Sequence, residues 1–237
     1  MADILAVLYG RILRVRSDEP TWQQRDRLLV SKGHGAAIVY AVLAEVGFFP
    51  VSMLDTYCED GSPLLAHVSH HVPGVEISTG SLGHGLPIGC GMALAAKHDD
   101  SPSRVFVLLS DGELDEGSNW ESILFAPHHQ LDNLIVIVDY NKIQSFGAVS
   151  DVLGLEPMAE KWRTFQWSVR EMDGHDPTQI AEALRNVPFE PQKPSVLIAH
   201  TVKGKGVSFM ENQLDWHYKS PSNEQLEAAL AELGALR

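Results

Sequence analysis

The 237-residue sequence predicts one α/β domain over residues 1–237, built as a doubly wound, mostly parallel sheet with helices on both faces. Two apolar runs, 104–110 and 133–139, carry this prediction because they are continuous rather than alternating. Continuous β-branched runs are typical of strands buried on both faces, as in a parallel sheet. The segment between them, 117–130, has the length and spacing of a helix, so the three elements form a strand–helix–strand unit.

The same alternation extends toward both ends of the chain. Residues 34–47 predict a buried helix that closes at Gly47, and residues 82–98 predict a second helix whose glycine-rich side allows close packing. The other predicted elements are a helix over 2–15, a segment over 168–174 that continues the pattern, a helix over 177–187, a strand over 195–202 and an amphipathic helix over 222–237.

Composition and charge exclude several classes of protein. The formal net charge is −13, which disfavours binding to nucleic acid or to an anionic membrane surface. Cys58 and Cys90 cannot form a disulfide framework, and Cys90 lies in a run of small residues typical of a packed thiol. No run reaches the roughly 18 consecutive apolar residues of a membrane span, and no signal segment is present. These features predict a soluble, cytoplasmic protein.

Polar residues end both strands of the central unit. Asp111 follows the first apolar run, and Asn141 follows the second, thirty positions later. Ligands of open parallel sheets bind at the carboxyl ends of strands, where a carboxylate and an amide oxygen suit Mg²⁺ with phosphate oxygens. Gly112 would let backbone N–H groups approach an anion, and a helix beginning near Gly117 would point its positive end there. Taken singly, Asp-Gly is also a common turn and Asn a common cap.

These residues belong to motifs that resemble a known family. "SDGELDEGSNWE" followed by "VDYNKI" resembles the thiamin diphosphate motif, usually written Gly-Asp-Gly and, about thirty residues later, Asn. "SKGHGAAIVYAVL", "PGVEISTGSLGHGLPIGCGMALA", "DYNKIQSFG" and "TVKGKGVSFMEN" with "DWH" resemble the diphosphate-binding, N-terminal part of transketolase. The resemblance covers nearly the whole chain and implies the thiamin diphosphate-binding fold. Ser110 stands where the motif has its first glycine, and serine can still make the tight bend.

The resemblance implies roles for individual residues. Asp111, the Asn141 side chain and the Ile143 carbonyl would ligate Mg²⁺ or Ca²⁺. Glu116 matches an acidic residue at the subunit interface that couples the paired sites. Gly112, Lys203 and His217 would contact the diphosphate, and His217 would also face the substrate. His34 and His67 would border the thiazolium and the sugar hydroxyls. Gly80 and Leu82 would contact the aminopyrimidine.

Other histidines invite a plainer interpretation. His70, His71, His98, His128 and His129 lie in polar stretches, and we expect them at the surface. His84 either lines the site or packs against a turn.

The implied activity is transfer of a two-carbon ketol unit between sugar phosphates. A transketolase also needs a pyrimidine-binding domain and a C-terminal domain, and neither is found in these 237 residues. The resemblance therefore implies one subunit of a split transketolase, inactive alone, in a heterotetramer of two plus two subunits with a separate pyrimidine-binding/C-terminal subunit. The family's Gly-His-containing lead-in to the first helix has no counterpart before Met1, so either the true start lies upstream or the chain has lost one active-site histidine and part of the core.

Three alternatives remain. The chain could be a subunit of another thiamin diphosphate enzyme, of the 2-oxo-acid dehydrogenase or deoxyxylulose phosphate synthase type. "SKGH", "STGSLGHG" and the late "DWH" favour transketolase over both. It could instead be a non-catalytic assembly subunit that retains the fold. A plain Mg²⁺-nucleotide-binding domain is disfavoured, because neither the Walker nor the dinucleotide glycine signature is present.

Overall fold

The computed structural model describes residues 1–234. In that range the helices are α1 (Ala2–Val7), α2 (Ala36–Glu45), α3 (Gly85–His98), α4 (Gly117–His128), α5 (Val149–Val152), α6 (Met158–Thr164), α7 (Pro177–Arg185) and α8 (Asn223–Gly234). The strands are β1 (Arg27–Val30), β2 (Val105–Ser110), β3 (Leu134–Tyr140), β4 (Ile143–Gln144), β5 (Gly147–Ala148), β6 (Ser168–Asp173) and β7 (Ser195–His200).

Five of these strands form one sheet in the order β1-β2-β3-β7-β6, and every neighbouring pair in it is parallel. Pairing starts with Val105 opposite Leu134 and ends with Ser110 opposite Asp139 in the β2–β3 pair. The carboxyl ends of β2 and β3 therefore lie side by side at one edge, followed directly by Asp111 and Asn141. β4 and β5 form a small antiparallel hairpin just after β3.

The sheet separates two hydrophobic cores. Phe106 and Leu108 of β2 face a core shared with α1, α2 and α7, whereas Val107 and Leu109 face a core shared with α3, α4 and α6. Side chains alternate between the faces of a strand, so a strand buried on both sides must be apolar throughout. All six residues of β2 and all seven of β3 are buried. The predicted doubly wound parallel sheet with helices on both faces is confirmed.

Close packing of α3 on the sheet depends on Gly89. A Cβ atom built there would lie 2.6 Å from Cγ2 of Val107, closer than side chains tolerate. Gly91, two positions further along the helix, has open space around it. The expectation that the glycine-rich side of this helix packs closely is confirmed, and Cys90 between the two glycines is buried as predicted.

Several predicted boundaries are corrected by tertiary contacts. The first helix does not reach residue 15: a π-helical turn over Leu8–Ile12 ends it, because the Arg14 main chain pairs with Asp26 through both its N–H and its C=O. The helix predicted from residue 82 begins at Gly85, since Gly83 adopts φ +80°. β1, a run of four residues, is a strand that the sequence patterns did not reveal. The last residues of the predicted tail helix, 235–237, lie outside the described range.

The surface agrees with the sequence in two further respects. All five histidines expected there are exposed: His70, His71, His98, His128 and His129. Among the described residues, none of the helices combines the length and apolar character that crossing a bilayer requires.

Candidate functional site

A cavity of about 250 Å³ opens at the carboxyl edge of the sheet, where β2 and β3 end. It brings together nine of the eleven residues that the sequence nominated. These are His34, Leu82, Asp111, Gly112, Glu116, Asn141, Ile143, Lys203 and His217.

The loops after β2 and β3 are tied together by Asp111. Its Oδ1 accepts the Gly112 N–H at 2.8 Å, and its Oδ2 accepts the Lys142 N–H at 2.6 Å. Asn141 shapes the second loop, because its Oδ1 accepts the Ile143 N–H at 3.0 Å. Hydrogen bonds from backbone N–H groups to these two side chains thus hold Asp111, Asn141 and the Ile143 carbonyl in the same pair of loops.

Asp111 is buried without a neutralising side chain. It is 2 % exposed, and both hydrogen bonds that it accepts come from backbone N–H groups. Burial raises its pKa above the usual range, an effect that those two bonds and the more distant Lys32 charge do not offset. A buried carboxylate in this condition gains from a bound cation.

Two cationic or basic side chains face this carboxylate across the cavity. Nζ of Lys203 lies 2.9 Å from Nδ1 of His217, and Nε2 of His217 lies 3.0 Å from Oγ of Ser145. A charged Lys203 can only donate, so His217 accepts at Nδ1 and carries its proton on Nε2. The His34 ring lies 5.6 Å from the His217 ring, centroid to centroid.

The imidazole rings of His34 and His217 both favour the neutral form. The pKa of His34 is lowered to about 4, first by loss of solvent around the ring and then by the charge of Lys32. Burial and the Lys203 ammonium likewise lower the pKa of His217. At pH 7 both imidazoles are therefore neutral.

Lys32 lines the same cavity and was missed in the sequence, although it stands inside the "SKGH" motif. Its Nζ donates to Oδ2 of Asp139 at 2.9 Å, while Oγ1 of Thr201 donates to Oδ1 of the same carboxylate at 2.6 Å. Burial is the largest single influence on Asp139 and opposes its ionisation, but the Lys32 and Met1 ammonium charges and the hydrogen bonds from Lys32 and Thr201 together outweigh it and hold the pKa of Asp139 far below its usual range. This network connects the segments that follow β1 and β7 to the end of β3 beneath the cavity.

Glu113, also missed, joins three segments around the site. Its side chain is fully buried and accepts hydrogen bonds from the Ser31 hydroxyl, from the Gly83 N–H at 2.9 Å and from the Ser110 N–H at 3.4 Å. Oγ of Ser110 accepts the Glu113 N–H in return at 3.2 Å. Serine at position 110 therefore makes the turn and also stabilises it. The sequence feature that could have predicted this role is the acidic residue itself, two positions after Asp111.

Two predicted residues lie apart from the cavity. Gly80 and His67 are both exposed, and a Cβ built on Gly80 would lie 3.7 Å from the His67 ring. They lie against each other outside the cavity lining. Their predicted roles stay predictions.

The donor set fits a hard cation together with an anionic ligand. Carboxylate, amide and carbonyl oxygens are the ligands that Mg²⁺ and Ca²⁺ prefer, and the facing ammonium and N–H groups suit phosphate. Residues 1–234 contain no cluster of three or more His, Cys, Asp or Glu side chains that could hold a metal unaided. The fold and the cavity thus define an α/β domain suited to a cation–diphosphate ligand at the carboxyl edge of its sheet.

Comparison with known families identifies that class more closely. Residues 1–235 match the family described as transketolase, thiamine diphosphate binding domain. The chain belongs to this family.

Curated relatives support the assignment over almost the full chain. The chain is 42% identical over 231 residues to a subunit of the apulose-4-phosphate transketolase of Phocaeicola vulgatus, covering 98% of this chain and 82% of that protein. It is 41% identical over 234 residues to 6-deoxy-6-sulfo-D-fructose transketolase subunit SqwG of Clostridium sp. (strain MSTE9), covering 98% of this chain and 85% of that protein. Both relatives are single subunits of split transketolases.

A solved structure agrees in fold. The transketolase of Campylobacter jejuni superposes with a TM-score of 0.90 at 31% identity, over 98% of this chain. The match spans 37% of that longer protein, so this chain is similar to its thiamine diphosphate-binding part.

Proposed function

We propose that this chain is the thiamine diphosphate-binding subunit of a split transketolase that transfers a two-carbon ketol unit between sugar phosphates. The observation that carries the proposal is the cavity itself, where three oxygen donors on the β2 and β3 loops face Lys203 and His217.

The metal and the diphosphate would share this cavity. Asp111, Asn141 and the Ile143 carbonyl would hold Mg²⁺ or Ca²⁺. Gly112, Lys203 and His217 would contact the diphosphate, whose charge compensates the lysines that line the cavity. Bound thiamine diphosphate supplies the electron sink for cleavage of a carbon–carbon bond.

Proton transfer would fall to the histidines. The lowered pKa of His34 keeps its ring neutral, so it can accept a proton from a substrate hydroxyl near neutral pH, whereas His217, whose Nδ1 accepts the Lys203 N–H, would donate from Nε2 to a substrate oxygen. His67 would border the sugar from its exposed position. Gly80 and Leu82 would contact the aminopyrimidine through their backbones.

A partner subunit would complete the site. Exposed apolar side chains support this, because Phe146 at the cavity mouth is 87% exposed and Leu153 nearby is 52% exposed. Exposed apolar side chains also lie on α3 and α4, where Leu94 is 37% and Leu124 is 64% exposed. Exposed apolar side chains on separate segments suit contacts with other subunits. They support a heterotetramer of two copies of this chain and two pyrimidine-binding/C-terminal subunits, with Glu116 at an interface.

The substrates would be anionic sugars. The relatives' names specify apulose 4-phosphate in one case and a 6-deoxy-6-sulfo sugar in the other, so a phosphate or sulfonate tail is the shared feature. We infer a cytoplasmic location, which the free thiols of Cys58 and Cys90 support.

Calorimetry with thiamine diphosphate and Mg²⁺, on the chain alone and with the pyrimidine-binding subunit, tests the proposal. We expect tight binding and ketol transfer only when both chains are present, and loss of both in Asp111→Ala and Asn141→Ala. Asp99→Ala, at an exposed aspartate, is the matched control. Binding without transfer to any sugar phosphate would favour a non-catalytic role in assembly. Absence of binding under all conditions would refute the proposal.

A further inference from the structure

A histidine–aspartate pair lies outside the cavity, where α1 meets the loop between β6 and α7. Nδ1 of His175 lies 2.8 Å from Oδ2 of Asp3, a residue 172 positions away in the chain. The His175 side chain is 15% exposed and that of Asp3 is 39% exposed. The pair therefore connects distant segments at a partly covered position.

The other ring nitrogen of His175 holds the main chain beyond β7. The Val202 N–H donates to Nε2 of His175 at 2.8 Å. Because a backbone N–H can only donate, Nε2 carries the lone pair and the ring proton is on Nδ1. The Nδ1–H then donates to the Asp3 carboxylate, which fixes both the tautomer and the orientation of the ring.

Val202 immediately precedes Lys203, which faces the cavity. On its other side, Thr201 is anchored by its side chain to Asp139 and by its N–H to the Tyr140 carbonyl at 3.1 Å. Beyond Lys203 the chain turns sharply at Gly204, where φ is +74° and a Cβ would lie 2.5 Å from the Met210 carbonyl oxygen. The backbone that carries Lys203 is thus fixed before and after it. His175 supplies one of the two hydrogen bonds of the Val202 main chain, and the other joins the Val202 carbonyl to the Lys205 N–H at 3.3 Å.

We propose that His175, oriented by Asp3, is a positioning residue that sets the approach of Lys203 to the diphosphate of the cofactor. The inference rests on the proposed function. His175 does not line the cavity, so it acts through the Val202 main chain and not by touching the ligand.

Two amide substitutions separate the two hydrogen bonds of the ring. In His175→Gln the amide oxygen can occupy the place of Nε2 and still accept the Val202 N–H, while the bond to Asp3 is lost. In His175→Asn the shorter amide can still reach Asp3 but not Val202. The two variants remove the same imidazole, so a general packing loss would affect both alike.

The measurement is the dissociation constant of thiamine diphosphate in excess Mg²⁺, by calorimetry on the two-subunit assembly. We expect His175→Asn to weaken binding roughly 3- to 10-fold, the effect of one lost hydrogen bond, and His175→Gln to retain most of the affinity. The effect of His175→Asn is then measured again in a chain that also carries Lys203→Met. If His175 acts through Lys203, the Asn penalty must disappear there, since coupled residues are not additive.

The outcomes distinguish the two proposals. If the wild-type assembly fails to bind thiamine diphosphate, the proposed function fails. If the wild type binds and the Asn and Gln variants are affected equally, or the Asn penalty persists in Lys203→Met, the positioning role is refuted. Thermal unfolding of every variant checks that it folds. If His175→Asn proves unstable, His175→Leu, which also leaves the Val202 N–H without its acceptor, takes its place, and Asp3→Ala, which keeps that acceptor, should resemble His175→Gln.

Discussion

Asp26 at the amino end of the sheet's strands (the amino edge) and Asp111 at their carboxyl end (the carboxyl edge) are both buried, but they accept hydrogen bonds from different kinds of donor. Asp26, just before β1 at the amino edge, accepts Nη2 of Arg14 at 2.8 Å and Nη2 of Arg104 at 2.6 Å, besides backbone N–H groups of both arginines. Asp111, just after β2 at the carboxyl edge, accepts backbone N–H groups alone. Asp26 is 1 % exposed and Asp111 is 2 % exposed, so burial does not distinguish them.

Their pKa values move in opposite directions for that reason. Burial raises the pKa of each carboxyl, but hydrogen bonds from Arg104 and Arg14 reverse the effect at Asp26 and bring its pKa below the usual range. At Asp111 the two backbone bonds do not reverse it. The chain itself neutralises the charge at the amino edge. Among residues 1–234, Asp111 accepts no such side-chain donor, so Asp26 is a structural aspartate and Asp111 is the proposed binding aspartate.

The largest effect should follow removal of the structural aspartate. We expect Asp26→Ala to lower the free energy of unfolding by about 3–5 kcal/mol, because Arg14 and Arg104 lose their shared buried partner. Chemical denaturation of the metal-free chain measures this. Arg16→Ala, which breaks an exposed ion pair with Glu19, is the control and should change stability by no more than about 1 kcal/mol. If Asp26→Ala lowered the free energy of unfolding as little as Arg16→Ala does, Asp26 would not be the structural aspartate that we describe.

The binding aspartate should show the reverse pattern. We expect Asp111→Asn to weaken Mg²⁺-dependent binding of thiamine diphosphate by about 100-fold or more, since losing a direct ligand should cost at least as much as losing an outer-sphere partner. Without metal, Asp111→Asn should lower the free energy of unfolding far less than Asp26→Ala does, because no side-chain cation loses its partner. Calorimetry and denaturation on one preparation test both halves. Unchanged binding in the variant would place the metal elsewhere.

Acid should remove the stabilising contribution of the ionised Asp26. The folded-state pKa of Asp26 is depressed, so its ionised form stabilises the fold above the unfolded-state value of about 3.9, and this stability is lost as pH falls through the folded-state pKa. The stability difference between wild type and Asp26→Asn should therefore shrink as pH is lowered from about 5 to 3. A difference that stays constant over this range would contradict the assignment.

The smallest effect concerns the charges around His34. Lys203 is among the cations that hold the pKa of His34 at about 4, so Lys203→Met should raise that pKa. NMR titration of the ring protons in the metal-free chain measures the shift. Lys205→Met, two positions further on at a lysine whose side chain is 53% exposed, is the matched control. A lower pKa in Lys203→Met would show that the ring senses burial changes more than charge.

The sequence located much of the site. Asp111 and Asn141 were predicted because they follow the ends of two apolar strands, Lys203 and His217 were implied by the resemblance to transketolase, and the cavity contains all four. Glu113 and Lys32 were missed, since their importance comes from contacts with segments 82 and 107 positions away in the chain. Such pairings leave no periodic trace along the sequence.

The fold shows the same division. The apolar runs that became β2 and β3 could be assigned because every position must be buried on one face or the other. The sequence by itself determined the parallel sheet, its two covering layers and the polar strand ends. The tertiary structure decided where α1 ends, that Arg27–Val30 forms a strand, and which buried aspartate is neutralised. Local patterning fixes which residues avoid water, whereas the partners of a buried charge depend on three-dimensional proximity alone.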